Sequence, residues 1–190
     1  MSTATLTGLD STLALLDQLG KRGDAIARQA STEAANDLRN NWMARQLSSH
    51  TGISRTIVQK HMAVKRANQK YLNARINFSG AGILVRDYSY TKRVVSTKDN
   101  RAQILVDWVG GQKVAAGFIN PRGRSQVPLS TRNQKTTKTG KTYTYRRGQM
   151  VEAMGPSLAS VYLALPEDAV QRQAQVRLAE RVTTLLAAII

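Results

Sequence analysis

The sequence predicts an α+β fold: N-terminal helices, a central antiparallel β-sheet with a long basic hairpin, and a C-terminal helix. Three observations predict it. Apolar residues recur every three or four positions before residue 50, alternate with polar ones from Leu72 onward, and return to helical spacing after Pro166. Helices that come first, strands that follow as a meander, and a helix that closes the chain give segregated rather than alternating elements. The expectation is one domain over 1–190. Its parts are an N-terminal helical arm (1–24), a helix-plus-sheet core (25–119), a basic extended loop or hairpin (120–149), and a C-terminal segment and helix (150–190).

The elements follow in order. Leu6, Leu9, Leu13, Leu16 and Leu19 spell a first helix, which Gly20 and Gly23 break or kink. A second pattern, Ile26, Ala30, Ala34, Leu38, Trp42, keeps one face apolar with a stride of four, while Arg28, Glu33, Asp37, Arg39 and Arg45 lie off it. Its alanines permit close packing, and Ser48 to Gly52 ends the helical region. Ser54 can cap a short helix whose apolar side is Ile53, Ile57, Val58 and Met62. Period two then takes over: Leu72, Ala74, Ile76 and Phe78 alternate with Asn73, Arg75 and Asn77, as in a half-buried strand.

Ser79 to Gly82 reads as a turn and Ile83-Leu84-Val85 as a strand. Ile104 to Val109 is another, closed by Gly110-Gly111, with Val114 to Ile119 as its hairpin mate. Residues 120–149 are almost free of apolar side chains until Thr142 to Arg147 alternates again, so the stretch reads as one long basic hairpin. A final helix starts near Pro166-Glu167-Asp168, with acids at the positive end of its dipole and a face of Val170, Ala174, Leu178, Val182, Leu185 and Ile189. Trp42 and Trp108 are assigned to the core.

Charge is distributed unevenly. Between Thr51 and Met150 there are 20 Lys/Arg against Asp87, Asp99 and Asp107, a net of +17, while the whole chain carries +16. A basic belt between two nearly neutral ends points to a polyanionic neighbour, with DNA the default candidate. The belt has two parts: Arg55, Lys60, Lys65, Arg66, Lys70 and Arg75 on and after the short helix, and Arg122, Arg124, Arg132, Lys135, Lys138, Lys141, Arg146 and Arg147 on the hairpin. Such charges neutralise phosphates without reading bases, so the contact should be sequence-neutral. Tyr143 and Tyr145 fit cross-strand packing better than base stacking.

At 42% hydrophobic residues a packed core is expected, and the absence of cysteine excludes disulfides, thiolate metal sites and a Cys nucleophile. The first residues carry no secretory pattern, and the longest apolar run, Leu185 to Ile190, is too short to span a bilayer; no membrane role is expected. His50 and His61 have no ligand partner at metal-binding spacing, and Glu167-Asp168 is a helix start rather than a catalytic pair. Gly80-Ala81-Gly82 lacks the rest of a phosphate loop, and no Gly-x-Ser-x-Gly elbow occurs. The expectation is a protein without enzymatic activity, cofactor or metal.

Four landmarks now stand in order: the alanine-rich helix Ile26–Trp42; Gly52-Ile53-Ser54-Arg55 through Val64-Lys65-Arg66-Ala67 into Asn73-Ala74-Arg75-Ile76; Gly117-Phe118-Ile119 before a basic excursion; and Gly155-Pro156-Ser157-Leu158 before a terminal helix. Together they span roughly residues 25–185, and in this order the chain resembles the minor tail protein Z family of tailed phages and prophages. The resemblance implies a structural virion protein of the neck or upper tail, assembled in the host cytoplasm, that completes the tail and helps join it to the head. It implies a homo-oligomeric ring, most often a hexamer, around the DNA channel. Its partners would be head-closure or connector proteins, tail-terminator or tail-tube proteins, and non-specific DNA in the lumen. On that view the helices at both ends would spend apolar faces on neighbouring subunits. The competing expectation is a monomeric or dimeric nucleoid-type DNA binder; a ribosome-associated protein is a third.

Overall fold

In a computed structural model of the chain, which describes residues 3–5, 21–96, 101–119, 127–131, 134–139, 142–146 and 150–188, the stride of four becomes the buried side of helix α1, Lys21–Asp37. Ile26, Ala30, Ala34 and Leu38 are all buried. The stride then slips by one. A π-helical turn, Leu38–Met43, inserts an extra residue, and helix α2 (Ala44–Thr51) continues with Met43 and Leu47 on the buried side. Trp42, expected in the core from an unbroken stride, is therefore only half-buried. The predicted Leu6–Leu19 helix lies outside the described residues.

Two compact units result. The first draws its described residues from Met1–Ser49, Ser54–Ala81 and Leu158–Ile190. Ser54 caps helix α3 (Arg55–Lys60) as predicted, its Oγ accepting the Ile57 N–H at 3.4 Å. Met62, expected on that helix's apolar side, instead begins strand β2 (Met62–Lys65). It pairs antiparallel with β3 (Arg75–Phe78), and β1 (Thr3–Thr5) lies on the other side of β3. Ala74, Ile76 and Phe78 are buried as the alternation required.

Helix α4 (Leu158–Tyr162) lies against β3, with the Tyr162 ring stacked on Phe78 at 4.2 Å between centroids. Helix α5 (Glu167–Ala187) starts where the proline and acids placed it and buries Val170, Ala174, Leu178 and Val182. It runs antiparallel to α1: Leu185 and Leu186 pack on Ile26 and Ala27, while Arg177 Nε reaches Asp37 Oδ2 at 2.7 Å. The alanines of α1 (Ala27, Ala30, Ala34, Ala35) have no exposed surface, which lets the two helices approach closely. These apolar faces are consumed within the unit, each Ile or Leu contributing about 1.5–3 kcal/mol of burial. The other apolar helix face expected to meet neighbours, Leu6 to Leu19, lies outside the described residues.

The second unit contains His50–Ile53 and Gly82–Ser157. Its first strand, β4 (Gly82–Leu84), leads through a 3-10 turn, Val85–Asp87, to β5 (Tyr90–Ser96). Strands β6 (Arg101–Trp108) and β7 (Gly111–Ile119) form the predicted hairpin across Val109-Gly110. With β8 (Leu129–Thr131) and β11 (Met150–Glu152) they make a five-stranded antiparallel sheet in the order β11-β8-β7-β6-β5. Between β8 and β11 the same two chain segments pair again as β9 (Gln134–Thr139) and β10 (Thr142–Arg146). The basic hairpin is thus a ribbon rooted in the sheet.

Ala102, Ile104, Val106, Ala115 and Ile119 form the sheet's buried side. β12 (Met154–Ser157) pairs with β4, and the Tyr88 hydroxyl donates to the Pro156 carbonyl at 2.7 Å. Gly117, at φ +144°, has no room for a side chain: a Cβ would sit 2.7 Å from the Leu129 carbonyl oxygen and 2.8 Å from the Ala153 Cβ. Trp108, like Trp42, is only half-buried, with the Lys113 ammonium 4.4 Å above its ring.

Candidate nucleic-acid interface

The chain from Ser54 to Ala81 contains six bases and no acid. Arg55 and Lys60 stand at opposite ends of α3, Lys65 ends β2, Arg66 follows it, Lys70 lies in the β2–β3 loop, and Arg75 begins β3; all six are exposed. No carboxylate among the described residues pairs with any of them, since the ion pairs are Arg86 with Glu152 and Arg177 with Asp37. The register sharpens this. Lys65 and Arg75 are direct cross-strand partners, which places two cations opposite one another where an antiparallel pair usually avoids like charge.

The loop between these strands is built rather than slack. Ser31 and Thr32, adjacent on α1, each hold one end of it. Ser31 Oγ, wholly buried, accepts the Ala74 N–H at 2.8 Å, and Thr32 Oγ1 accepts the Ala67 N–H at 3.2 Å. Thr32 Oγ1 in turn donates to the Arg28 carbonyl at 2.8 Å, which fixes the hydroxyl's direction. Within the loop, Asn68 Oδ1 accepts from the Lys70 and Tyr71 amides at 3.0 and 2.9 Å, and the Asn68 N–H donates to the Tyr71 carbonyl at 2.7 Å. An asparagine that satisfies the amides two and three residues on makes a tight, self-contained turn. Its product is a Tyr71 ring half exposed to solvent, with Lys70 Nζ 5.6 Å and Arg75 Cζ 5.5 Å from its centroid.

Of the bases singled out on the hairpin, Lys135 and Lys138 lie on β9 and Arg146 on β10, within the second unit. In the ribbon's register Lys138 faces Tyr143 and Lys135 faces Tyr145, so each tyrosine position is paired with a base across the ribbon. Arg122, Arg124, Arg132, Lys141 and Arg147 lie outside the described residues. The first group, by contrast, is brought together: Lys65, Arg66, Lys70 and Arg75 share one hairpin and its loop.

Arg75 was legible as part of the belt, but its pairing with Lys65, the Ser31–Thr32 anchor and the display of Tyr71 were not. The available signal was an aromatic residue interleaved with bases, Lys70-Tyr71 to Arg75. No group of three or more His, Asp or Glu side chains able to hold a metal forms among the described residues. No described helix is long and apolar enough to cross a membrane. What this surface can do chemically is bind anions through mobile cationic side chains. No protein-family model matches the chain, and no curated protein or solved structure is detectably similar to it.

Proposed function

We propose that the chain is a structural virion component of a phage neck or upper tail, a subunit of a homo-oligomeric ring that presents its bases to the DNA passing through. The observation that carries this reading is the set of exposed cations that no carboxylate among the described residues neutralises, with Lys65 and Arg75 forced opposite one another. Phosphates relieve such repulsion, and a cationic surface without base-reading elements suits DNA that must move past it. The resemblance to the minor tail protein Z family, carried by the ordered landmarks from Ile26 to Leu158, supports the ring. Among the described residues the α1 and α5 faces are packed on one another, so the apolar surface for a neighbouring subunit falls to exposed residues of the open sheet: Val94 and Val95 on edge strand β5, Val114 and Phe118 on β7.

The test is duplex binding by the purified chain against salt concentration. Two unrelated sequences should bind within about twofold of each other, weakly, with log K falling by roughly 0.9 per phosphate contacted for each decade of salt. Replacing Lys65, Arg66 and Lys70 together by Gln should reduce that slope by about 3 at most. Strong preference for one sequence, or no binding at about 50 mM salt, overturns the DNA contact. Tight binding of free duplex by a monomer or dimer favours the nucleoid-type reading.

A further inference from the structure

We propose that the β2–β3 loop together with the first residue of β3, residues 66–75, is a binding site for nucleic acid with unpaired bases, in which the Tyr71 ring stacks on a base while Lys70 and Arg75 hold the adjoining phosphates. The site rests on the reading of the first basic group as a nucleic-acid contact, and it assigns a residue and a form of nucleic acid that charge alone does not.

Three features converge on it. First, the loop is preorganised. Its ends are held by Ser31 and Thr32 on α1 and its tip is closed by Asn68, so presenting Tyr71 costs no further ordering when a ligand arrives. Second, that order is spent on exposing a large ring: Tyr71 keeps 50% of its surface in solvent, while Phe78 and Tyr162 in the same unit stack on one another. Third, the cations beside the ring are loosely held. At 5.5 and 5.6 Å from the centroid they lie near the outer limit of a cation–π contact, and no carboxylate among the described residues pairs with either. A base can take the ring face while both side chains swing to phosphate.

The ligand class follows from the chemistry. A flat aromatic ring with two cations beside it matches the alternation of base and phosphate along a single strand. A duplex hides its base faces in the stack and offers Tyr71 only sugar and groove edges. An acidic peptide would satisfy Lys70 and Arg75 but has no use for the ring.

The experiment measures anisotropy of a labelled single strand of about 20 nucleotides and of the blunt duplex of the same sequence, titrated with the full chain. The wild type should prefer the single strand. Tyr71→Ala should weaken single-strand binding about tenfold, change duplex binding less than about twofold and leave the salt slope unaltered. Tyr71→Phe should retain wild-type affinity, because stacking needs the ring and not the hydroxyl. Lys70→Gln should behave oppositely, reducing the single-strand salt slope by about 0.7. Matching circular-dichroism melts exclude misfolding of the variants.

The proposal is overturned if Tyr71→Ala binds single strands like wild type, if Tyr71→Phe falls as far as Tyr71→Ala, or if polyglutamate competes as well as DNA at equal charge. Absence of binding to either nucleic acid overturns this site and the proposed function together. Salt-dependent binding that ignores Tyr71 overturns this site alone.

Discussion

Ser31→Ala isolates the anchor on which the β2–β3 loop depends. The substitution removes one oxygen and leaves the helix propensity of α1 intact or improved, since alanine is the better helix former. What it takes away is the acceptor for the Ala74 N–H, 2.8 Å away at a position where Ser31 has no exposed surface and Ala74 is buried. A typical hydrogen bond contributes about 0.5–1.5 kcal/mol net, but a buried donor left without a partner costs about 1–3 kcal/mol, and the second case applies here. The expected loss is about 2 kcal/mol, a shift of the urea midpoint by roughly 1 M at the slopes usual for such chains.

Thr32→Val removes the partner at the other end, where Ala67 is only half-buried and water can take over, so about 0.5 kcal/mol is expected. The assay pairs urea unfolding, followed by circular dichroism, with amide hydrogen exchange. In Ser31→Ala the amides of Ala74, Lys70 and Tyr71 should all exchange faster, because the Asn68 turn loses its anchored frame. A Ser31→Ala protein with wild-type stability and unchanged Ala74 protection would refute the anchored-loop reasoning.

Arg177→Met should destabilise the first unit by about 2 kcal/mol, less than a fully buried pair would lose, because the Arg177 and Asp37 side chains keep 18% and 24% exposure. Adding Asp37→Asn should recover part of that loss in a double-mutant cycle read by urea unfolding. Gly117→Ala should cost about 3 kcal/mol, from the positive φ and the approach to the Leu129 carbonyl and the Ala153 Cβ, and should lower the unfolding midpoint. Burial raises the Tyr88 phenol above its ordinary value, so above about pH 10 the unfolded chain releases a proton that the folded one keeps. Stability should therefore fall as pH rises past that point, and Tyr88→Phe should flatten the decline in melts taken from pH 9 to about 11.

Periodicity carried the fold where one face of an element is buried and failed where that condition breaks. The stride Ile26 to Leu38 and the face Val170 to Val182 were legible because each helix buries one continuous stripe. The π turn at Leu38–Met43 was not, since an inserted residue cannot be distinguished from a polar position until the partner helix is known. β5 was missed because Thr91 to Val95 is exposed throughout, an edge strand without alternation. β2 was missed because Met62 fits the apolar side of the preceding helix as well as it fits a strand. α4, with five residues, is too short to show a period.

For the candidate site, composition revealed the bases but not their neighbours. That Lys65 faces Arg75, and that Ser31 and Thr32 hold a loop through residues 43 and 35 positions away, are facts of register and tertiary packing. Serine and threonine in mid-helix gave a faint sign, because such residues there usually have a hydrogen-bonding task.

The proposed ring is tested most directly by the native mass of the purified chain, measured by sedimentation velocity alone and in the presence of purified phage tails. A closed six-fold ring of the 20.9 kDa chain would sediment at about 125 kDa, or the chain would leave the free pool and co-sediment with the tails. A species that stays at 20.9 kDa across the concentration range and ignores the tails would contradict the ring.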